Sequence, residues 1–168
     1  MPEPRLVYWD ACVFLSYIQQ SEERIEALDA MLDDAGAGLL HIVTSVMSQV
    51  EVAYVEEEKA SGQLDSRVEQ AIDDLFFDNS VVTLVEYHPI IGRDARDLIR
   101  AAIQQGRSIK PMDAIHLATA KHVEAGVLYT YDDRMLKAGD LTGIKIEEPN
   151  VLRQGRLLDL DQIGRAHV

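Results

Sequence analysis

At 168 residues, with 47% hydrophobic and 27% charged residues, the chain is long enough for one buried core and too apolar for wholesale disorder. Its single cysteine, Cys12, excludes an intrachain disulfide, and no segment is apolar for long enough to span a bilayer, so we expect a cytoplasmic protein. The net charge of -13 counts against broad nucleic-acid affinity, because such affinity usually accompanies clustered lysine and arginine.

The first half of the chain alternates strand-like and helix-like segments. RLVYWD predicts a strand, and two helices follow it, the second ending near Gly36 and Gly38. LLHIVTS predicts a second buried strand. Ser45 is placed to cap one continuous helix that runs through VMSQVEVAYVEEEKA to Gly62. The next helix, LDSRVEQAIDDLFFD, is expected to end near Asn79.

The second half repeats this alternation. VVTLVEY predicts a third strand, and DARDLIRAAIQQ predicts a helix that stops at Gly106. Pro111 is well placed in the first turn of a helix through MDAIHLATAKHVEA. VLYTY and the weaker IKIEE predict the last two strands. Strands separated by helices of this length favour crossover connections and a parallel sheet.

The predicted fold is therefore α/β: a single domain with a mostly parallel central sheet of about five strands and helices on both faces. We expect the domain to span residues 1–148. Residues 149–168 would form a C-terminal tail or a short helix, to which the sequence assigns no chemistry.

Four acidic residues lie where a hydrophobic run meets the start or inner face of a predicted helix: Asp10, Glu51, Asp113 and Asp132. In parallel sheets a ligand site lies beyond the carboxyl ends of the strands. Asp10 follows the strand residues VYW and Asp132 follows YTY, so topology alone predicts that these two carboxylates converge.

Each acid also has a simpler interpretation. Asp10 and Asp132 are in positions that suit helix N-caps, and Asp113 falls in a first helical turn, where a negative charge is stabilising. Glu51 has mainly apolar neighbours. If it points inward, it needs a cation, a metal ion or hydrogen bonds, because a bare buried carboxylate is costly; if it points outward, it is a solvated glutamate.

The ordered set of acids, together with the segments DAIHLATA and TYDDRM, resembles the PIN domain family and, within it, the VapC-like toxin ribonucleases. The resemblance covers about residues 5–147. It implies that Asp10 and Asp113 are metal ligands and that Glu51 and Asp132 complete the catalytic acidic site, directly or through water. Carboxylate oxygens suit Mg²⁺ or Mn²⁺, and the sequence offers no histidine and cysteine pattern for zinc.

Four further residues are candidates for supporting the site or contacting substrate. By resemblance, Thr130 would hydrogen-bond to the acidic cluster, and Ser45 or Ser48 would supply a small polar group near the second strand. His116 lies on the same helical face as Asp113, where it either contacts substrate or packs as a neutral histidine against the sheet. Arg134 would bring a guanidinium near the scissile phosphate.

The resemblance implies a metal-dependent endoribonuclease, the toxin of a toxin-antitoxin pair, which hydrolyses RNA phosphodiester bonds. It also implies a cognate antitoxin and a homodimer. The alternative is a noncatalytic acidic module that assembles with a basic partner, for which the net charge of -13 is the main argument. A phosphatase with Asp10 as nucleophile would require an acid at the position of Cys12.

Overall fold

A parallel sheet organises the fold in the computed structural model, which describes residues 3–78 and 81–150. The strand bounds are Arg5–Trp9 (β1), Leu40–Ser45 (β2), Val82–Val85 (β3), Val127–Tyr129 (β4) and Lys145–Glu147 (β5). The strands lie side by side in the order β3-β2-β1-β4-β5, and every neighbouring pair is parallel. The predicted fold class, a five-stranded parallel sheet with helices, is confirmed.

Nine helices connect these strands within the described ranges. They are Ala11–Ile18 (α1), Ile25–Gly36 (α2), Ser48–Glu51 (α3), Glu56–Ser61 (α4), Ser66–Phe76 (α5), Pro89–Gln104 (α6), Pro111–His122 (α7), Asp133–Leu136 (α8) and Gly139–Thr142 (α9). None of the helices in this part of the chain has the length and apolar character required to cross a bilayer.

The core lies on both faces of the sheet, as the alternation of β1 shows. Val7 and Trp9 pack on one face with residues of α1, α2 and α5, whereas Tyr8 packs on the other face with residues of α6 and α7. All three side chains are almost fully buried. Successive strand residues point to opposite faces, so one central strand anchors both helical layers.

One predicted helix is wrong. The continuous helix expected from Ser45 to Gly62 is broken into α3 and α4, because the chain leaves helical geometry at Val52 and is extended at Val55. Both valines are buried, and β-branched residues are weak helix formers. The buried Glu58 carboxylate accepts the Val55 N–H at 3.1 Å, which stabilises the new start at α4.

Other boundaries also differ from the predictions. The helix predicted from DARDLIRAAIQQ begins earlier, at Pro89, which occupies its first turn. Pro111 starts α7 as predicted. α5 ends at Phe76, and the expected end near Asn79 lies outside the described residues. The same holds for most of the predicted tail, residues 151–168, so the division at residue 148 stays a prediction.

Candidate active site

The site is built where β1 and β4 end side by side. Trp9 pairs with Tyr129 in the sheet, which brings the next residues, Asp10 and Thr130, into contact. The Thr130 hydroxyl donates to Asp10 Oδ2 at 2.5 Å, and both side chains are buried. The chain goes from β1 to β2 and β3 on one side of the sheet and then returns to place β4 on the other side of β1. Parallel sheets form ligand crevices where the strand order reverses in this way.

Asp10 caps helix α1 and also belongs to the acidic cluster, which consists of Asp10, Asp113 and Asp132. Its Oδ1 accepts the backbone N–H groups of Cys12 and Val13 at 3.1 and 3.3 Å. These bonds fix the carboxylate at the positive end of α1. Burial nevertheless raises the pKa of Asp10, and its hydrogen bonds to Cys12 and Thr130 offset only part of that rise.

Thr130 connects Asp10 to Asp132. While its hydroxyl donates to Asp10, its oxygen accepts the backbone N–H of Asp132 at 3.0 Å. Asp132 in turn caps α8 by accepting the Arg134 N–H at 2.8 Å. Thr130 therefore fixes the spacing between the two acidic positions, the supporting contact that the sequence resemblance implies for it.

Asp113 completes a group of three acids. It lies in the first turn of α7 and is half-buried. Its pKa is raised, first by burial and then by the negative charge of Asp132; Asp10 adds to the rise, and His116 and Lys110 oppose it. Asp113 thus lies within electrostatic reach of both Asp132 and Asp10, and its ionised carboxylate is repelled by theirs.

Glu51 is held by a buried hydrogen-bonded chain. Its Oε2 lies 2.5 Å from His116 Nε2, and His116 Nδ1 lies 2.6 Å from the Tyr8 hydroxyl oxygen. The backbone N–H of Ser45 donates to that same oxygen at 2.9 Å, which leaves the tyrosine proton for His116. This chain is fully satisfied when His116 carries its proton on Nε2 and donates it to Glu51.

The predicted packing of His116 against the sheet agrees with this placement, since its ring is 1% exposed and meets Tyr8 edge-on. Tyr8 was not a candidate in the sequence. Its strand position predicts a core residue, and nothing local indicates a partner 108 residues away in the chain. Glu51 points inward, as one of its two sequence interpretations requires, and its partner is a histidine.

Cys12 is a second residue that sequence reasoning missed. Its thiol donates to Asp10 Oδ1 at 2.7 Å, and its sulfur accepts the Tyr131 N–H at 3.2 Å. Burial, followed by the charge of Asp10, raises the pKa of this thiol to about 12. Cys12 therefore stays protonated and acts as a hydrogen-bond donor to the cluster.

The remaining candidates lie around this cluster. The Ser45 hydroxyl accepts the Met47 N–H at 3.2 Å, and the Ser48 hydroxyl pairs with Thr44 at 2.7 Å, so both buried serines bond to the protein itself. Arg134 is exposed on α8, two residues after Asp132. A substrate role for Ser45 or Arg134 stays a prediction.

The donor chemistry of the cluster fits a hard divalent cation. Asp10, Asp113 and Asp132 present oxygen ligands, and a cation between them would relieve the repulsion that raises the pKa of Asp113. The side chains are not in a ligating arrangement: within residues 3–78 and 81–150, no three histidine, cysteine, aspartate or glutamate side chains converge to hold one ion. The Asp10 and Glu51 oxygens bond instead to neighbouring side chains.

Comparisons with solved structures identify the same fold in several bacterial proteins. The chain is similar to VapBC2 from Rickettsia felis, crystallised with a DNA fragment from its promoter: 15% identity, 86% of this chain and 99% of that chain covered, TM-score 0.64. It is also similar to DNA-bound VapBC from Salmonella typhimurium, with 14% identity, coverage of 87% and 99%, and a TM-score of 0.61.

A third similar structure is VapC20 from Mycobacterium tuberculosis, described as a sarcin-ricin loop cleaving toxin, with 14% identity, coverage of 79% and 95%, and a TM-score of 0.58. At these identities the structures demonstrate a shared fold. No curated protein sequence matches the chain significantly. The family model described as PIN domain matches residues 7–141, which include all four predicted acidic positions. The chain therefore belongs to the PIN domain family.

Proposed function

We propose that this protein is a Mg²⁺- or Mn²⁺-dependent endoribonuclease that acts in the cytoplasm as the toxin of a toxin-antitoxin pair. The observation that supports the proposal is the proximity of Asp113, in the first turn of α7, to Asp10 and Asp132, which follow β1 and β4. Burial raises the pKa of Asp113, and the negative charges of Asp132 and Asp10 raise it further. Binding a cation is the simplest function that such a group serves.

In this proposal the main role of the protein side chains is to position the metal ion rather than to react with the substrate. Asp10 and Asp113 would hold the metal ion, and Asp132 and Glu51 would complete the acidic site directly or through water. A bound divalent ion supplies activation of the attacking water and stabilisation of the leaving oxygen. Thr130 keeps Asp10 and Asp132 at a fixed spacing, and His116 keeps Glu51 directed toward the interior.

The proposed substrate and partners are inferred from the similar structures. One similar structure is named as a toxin that cleaves the sarcin-ricin loop, which supports RNA as the substrate. Several others are toxin-antitoxin complexes, which supports a cognate antitoxin as a partner. We include a homodimer of the toxin in the proposal on the strength of the family resemblance.

The test is cleavage of a mixed pool of structured and single-stranded RNA by purified protein freed of any inhibitor. We expect cleavage with Mg²⁺ or Mn²⁺, none with EDTA, and none from Asp10→Asn under any condition. Cleavage by wild type that persists in EDTA, or equal metal-dependent cleavage by wild type and Asp10→Asn, would contradict the proposal.

A noncatalytic acidic module is the second candidate. Two observations favour it: the net charge of -13, and the lack of a converged metal-ligand group among the described residues. Folded protein that cleaves no RNA in the pool, and whose melting temperature is unchanged by Mg²⁺ or Mn²⁺, would support this candidate over the nuclease.

A further inference from the structure

A basic cleft lies beside the acidic cluster. It has a volume of about 430 Å³ and is lined by Arg107, Ser108, Ile109, Arg134 and Lys137. Three of these five residues are cationic, in a chain whose net charge is -13. The lining residues include no acid, so the cleft is basic although the chain as a whole is acidic.

Two of the cations are available to a ligand. Arg134 and Lys137 are exposed, and within the described ranges neither side chain has a hydrogen-bond or ion-pair partner. Arg107 is fixed in place: its Nη1 donates to both Asp140 carboxylate oxygens at 2.9 and 2.8 Å, and its Nη2 donates to the Lys137 carbonyl at 2.6 Å. The lining therefore combines a guanidinium that other protein groups hold in place with two cations that have no side-chain partner among the described residues.

Two segments that line the cleft lead along the chain to residues of the acidic cluster. On α8, the Arg134 backbone N–H donates to the capping carboxylate of Asp132 at 2.8 Å. On the other side, residues 107–110 lead directly into α7, where Asp113 is the third residue. Lys110 is near enough to oppose the raised pKa of Asp113. A strand lying in the cleft would therefore present its next phosphodiester to the acids.

We propose that this cleft binds phosphate groups of the RNA strand next to the bond that is cleaved. The inference rests on the proposed ribonuclease function and adds the residues that hold the substrate. Arginine and lysine are the usual phosphate ligands, and the exposed Ser108 hydroxyl adds a neutral donor. An acidic protein with a carboxylate cluster at its centre needs such a site, because the cluster alone repels a phosphate backbone.

The experiment measures RNA binding as a function of salt. A labelled single-stranded RNA of mixed sequence is titrated with full-length protein in EDTA, and the logarithm of the affinity is plotted against the logarithm of the salt concentration. The test variant is Arg134→Gln with Lys137→Gln. The matched control is Arg5→Gln with Lys121→Gln: both are exposed, at the amino end of β1 and the last turn of α7, away from the acids.

The test variant should bind more weakly, and its slope should be shallower by roughly 0.7 for each phosphate group that it no longer neutralises. The control, with the same change in net charge, should keep the wild-type slope. Equal slopes in the two double variants, both folded by circular dichroism, would overturn the proposal. Equal slopes would also overturn it if inorganic phosphate raised the melting temperature of wild type but not of the test variant. That result would assign the cleft to free phosphate.

Cleavage by wild type, measured alongside the salt slopes, distinguishes failure of the cleft proposal from failure of the ribonuclease proposal. If wild type cleaves RNA but the slopes agree, the nuclease stands and the cleft proposal is wrong. If wild type never cleaves RNA but only the Arg134 and Lys137 variant has a shallower slope, the cleft binds RNA and the ribonuclease proposal is wrong.

Discussion

His116 ties the Glu51 carboxylate to the core of the sheet. Its Nε2 lies 2.5 Å from Glu51 Oε2, and its Nδ1 lies 2.6 Å from the Tyr8 hydroxyl oxygen. His116 and Tyr8 are both almost fully buried. The position of the partly exposed Glu51 carboxylate therefore depends on a buried tyrosine of the central strand, which contacts the other nitrogen of the histidine ring.

Tyr8→Phe should lower the free energy of unfolding by roughly 1–3 kcal/mol, because it leaves the buried Ser45 N–H and His116 Nδ1 without a partner. Denaturation by urea measures the change. Tyr131→Phe is the matched control: its hydroxyl is buried without a hydrogen-bond partner in the described part of the chain, so its removal should cost little. An equal loss in both variants would contradict the role given to the Tyr8 hydroxyl.

His116→Gln should reduce the rate of RNA cleavage by roughly 10- to 100-fold, the usual effect of losing a residue that orients a metal ligand. It should also raise the Mg²⁺ concentration needed for half-maximal rate, which a loss of folded protein alone would not do. His122→Gln, exposed on the same helix, is the control and should behave as wild type. A His116 variant with a lower rate and an unchanged Mg²⁺ requirement would count against the positioning role.

Thr130→Val should impair both stability and cleavage, because it removes the hydroxyl that donates to Asp10 and accepts from the Asp132 N–H. Leaving the buried Asp10 oxygen and the partly buried Asp132 N–H unpaired costs roughly 1–3 kcal/mol. Thr130→Ser keeps the hydroxyl and should retain most of the activity. Comparison of the two variants by melting and by cleavage rate separates the hydrogen bonds from the packing of the methyl group.

Asp113→Asn should make the protein more stable at neutral pH while abolishing cleavage. Its carboxyl pKa is raised in the folded protein by burial and by Asp132, so the ionised form is destabilising. The wild type recovers this stability as the pH falls through the raised pKa, and below the unfolded-state pKa the two proteins should be equally stable. Melting temperatures across this pH range provide the test, and a gap that widens toward acid would contradict it.

The sequence predicted the fold because its strands and helices alternate clearly. The convergence of Asp10 with Asp132 followed from their positions after β1 and β4, and Pro111 correctly fixed the start of α7. The continuous helix after Ser45 was wrong because the burial of Val52 and Val55 outweighed a helical pattern. That outcome depends on tertiary packing, which local propensity does not encode.

The sequence singled out the acids of the candidate site, whose roles stay predictions, but not the groups that hydrogen-bond to them. Tyr8 looks like an ordinary core residue of a strand, and Cys12 looks like a small apolar residue of a helix. Their roles come from partners that are distant in the chain, 108 residues from Tyr8 to His116 and 118 from Cys12 to Thr130. No spacing rule within a helix or a strand reports such contacts.

The most direct test of the central claim is the initial rate of RNA cleavage measured over a range of Mg²⁺ concentrations for wild type, Asp113→Asn and Asp133→Asn. Asp133 is the exposed acid next to Asp132, and its substitution removes the same charge without touching the proposed metal ligands. We predict metal-dependent cleavage by wild type and Asp133→Asn, and a loss of at least about a hundredfold in Asp113→Asn. Equal rates in the two variants, or cleavage that persists in EDTA, would contradict the account.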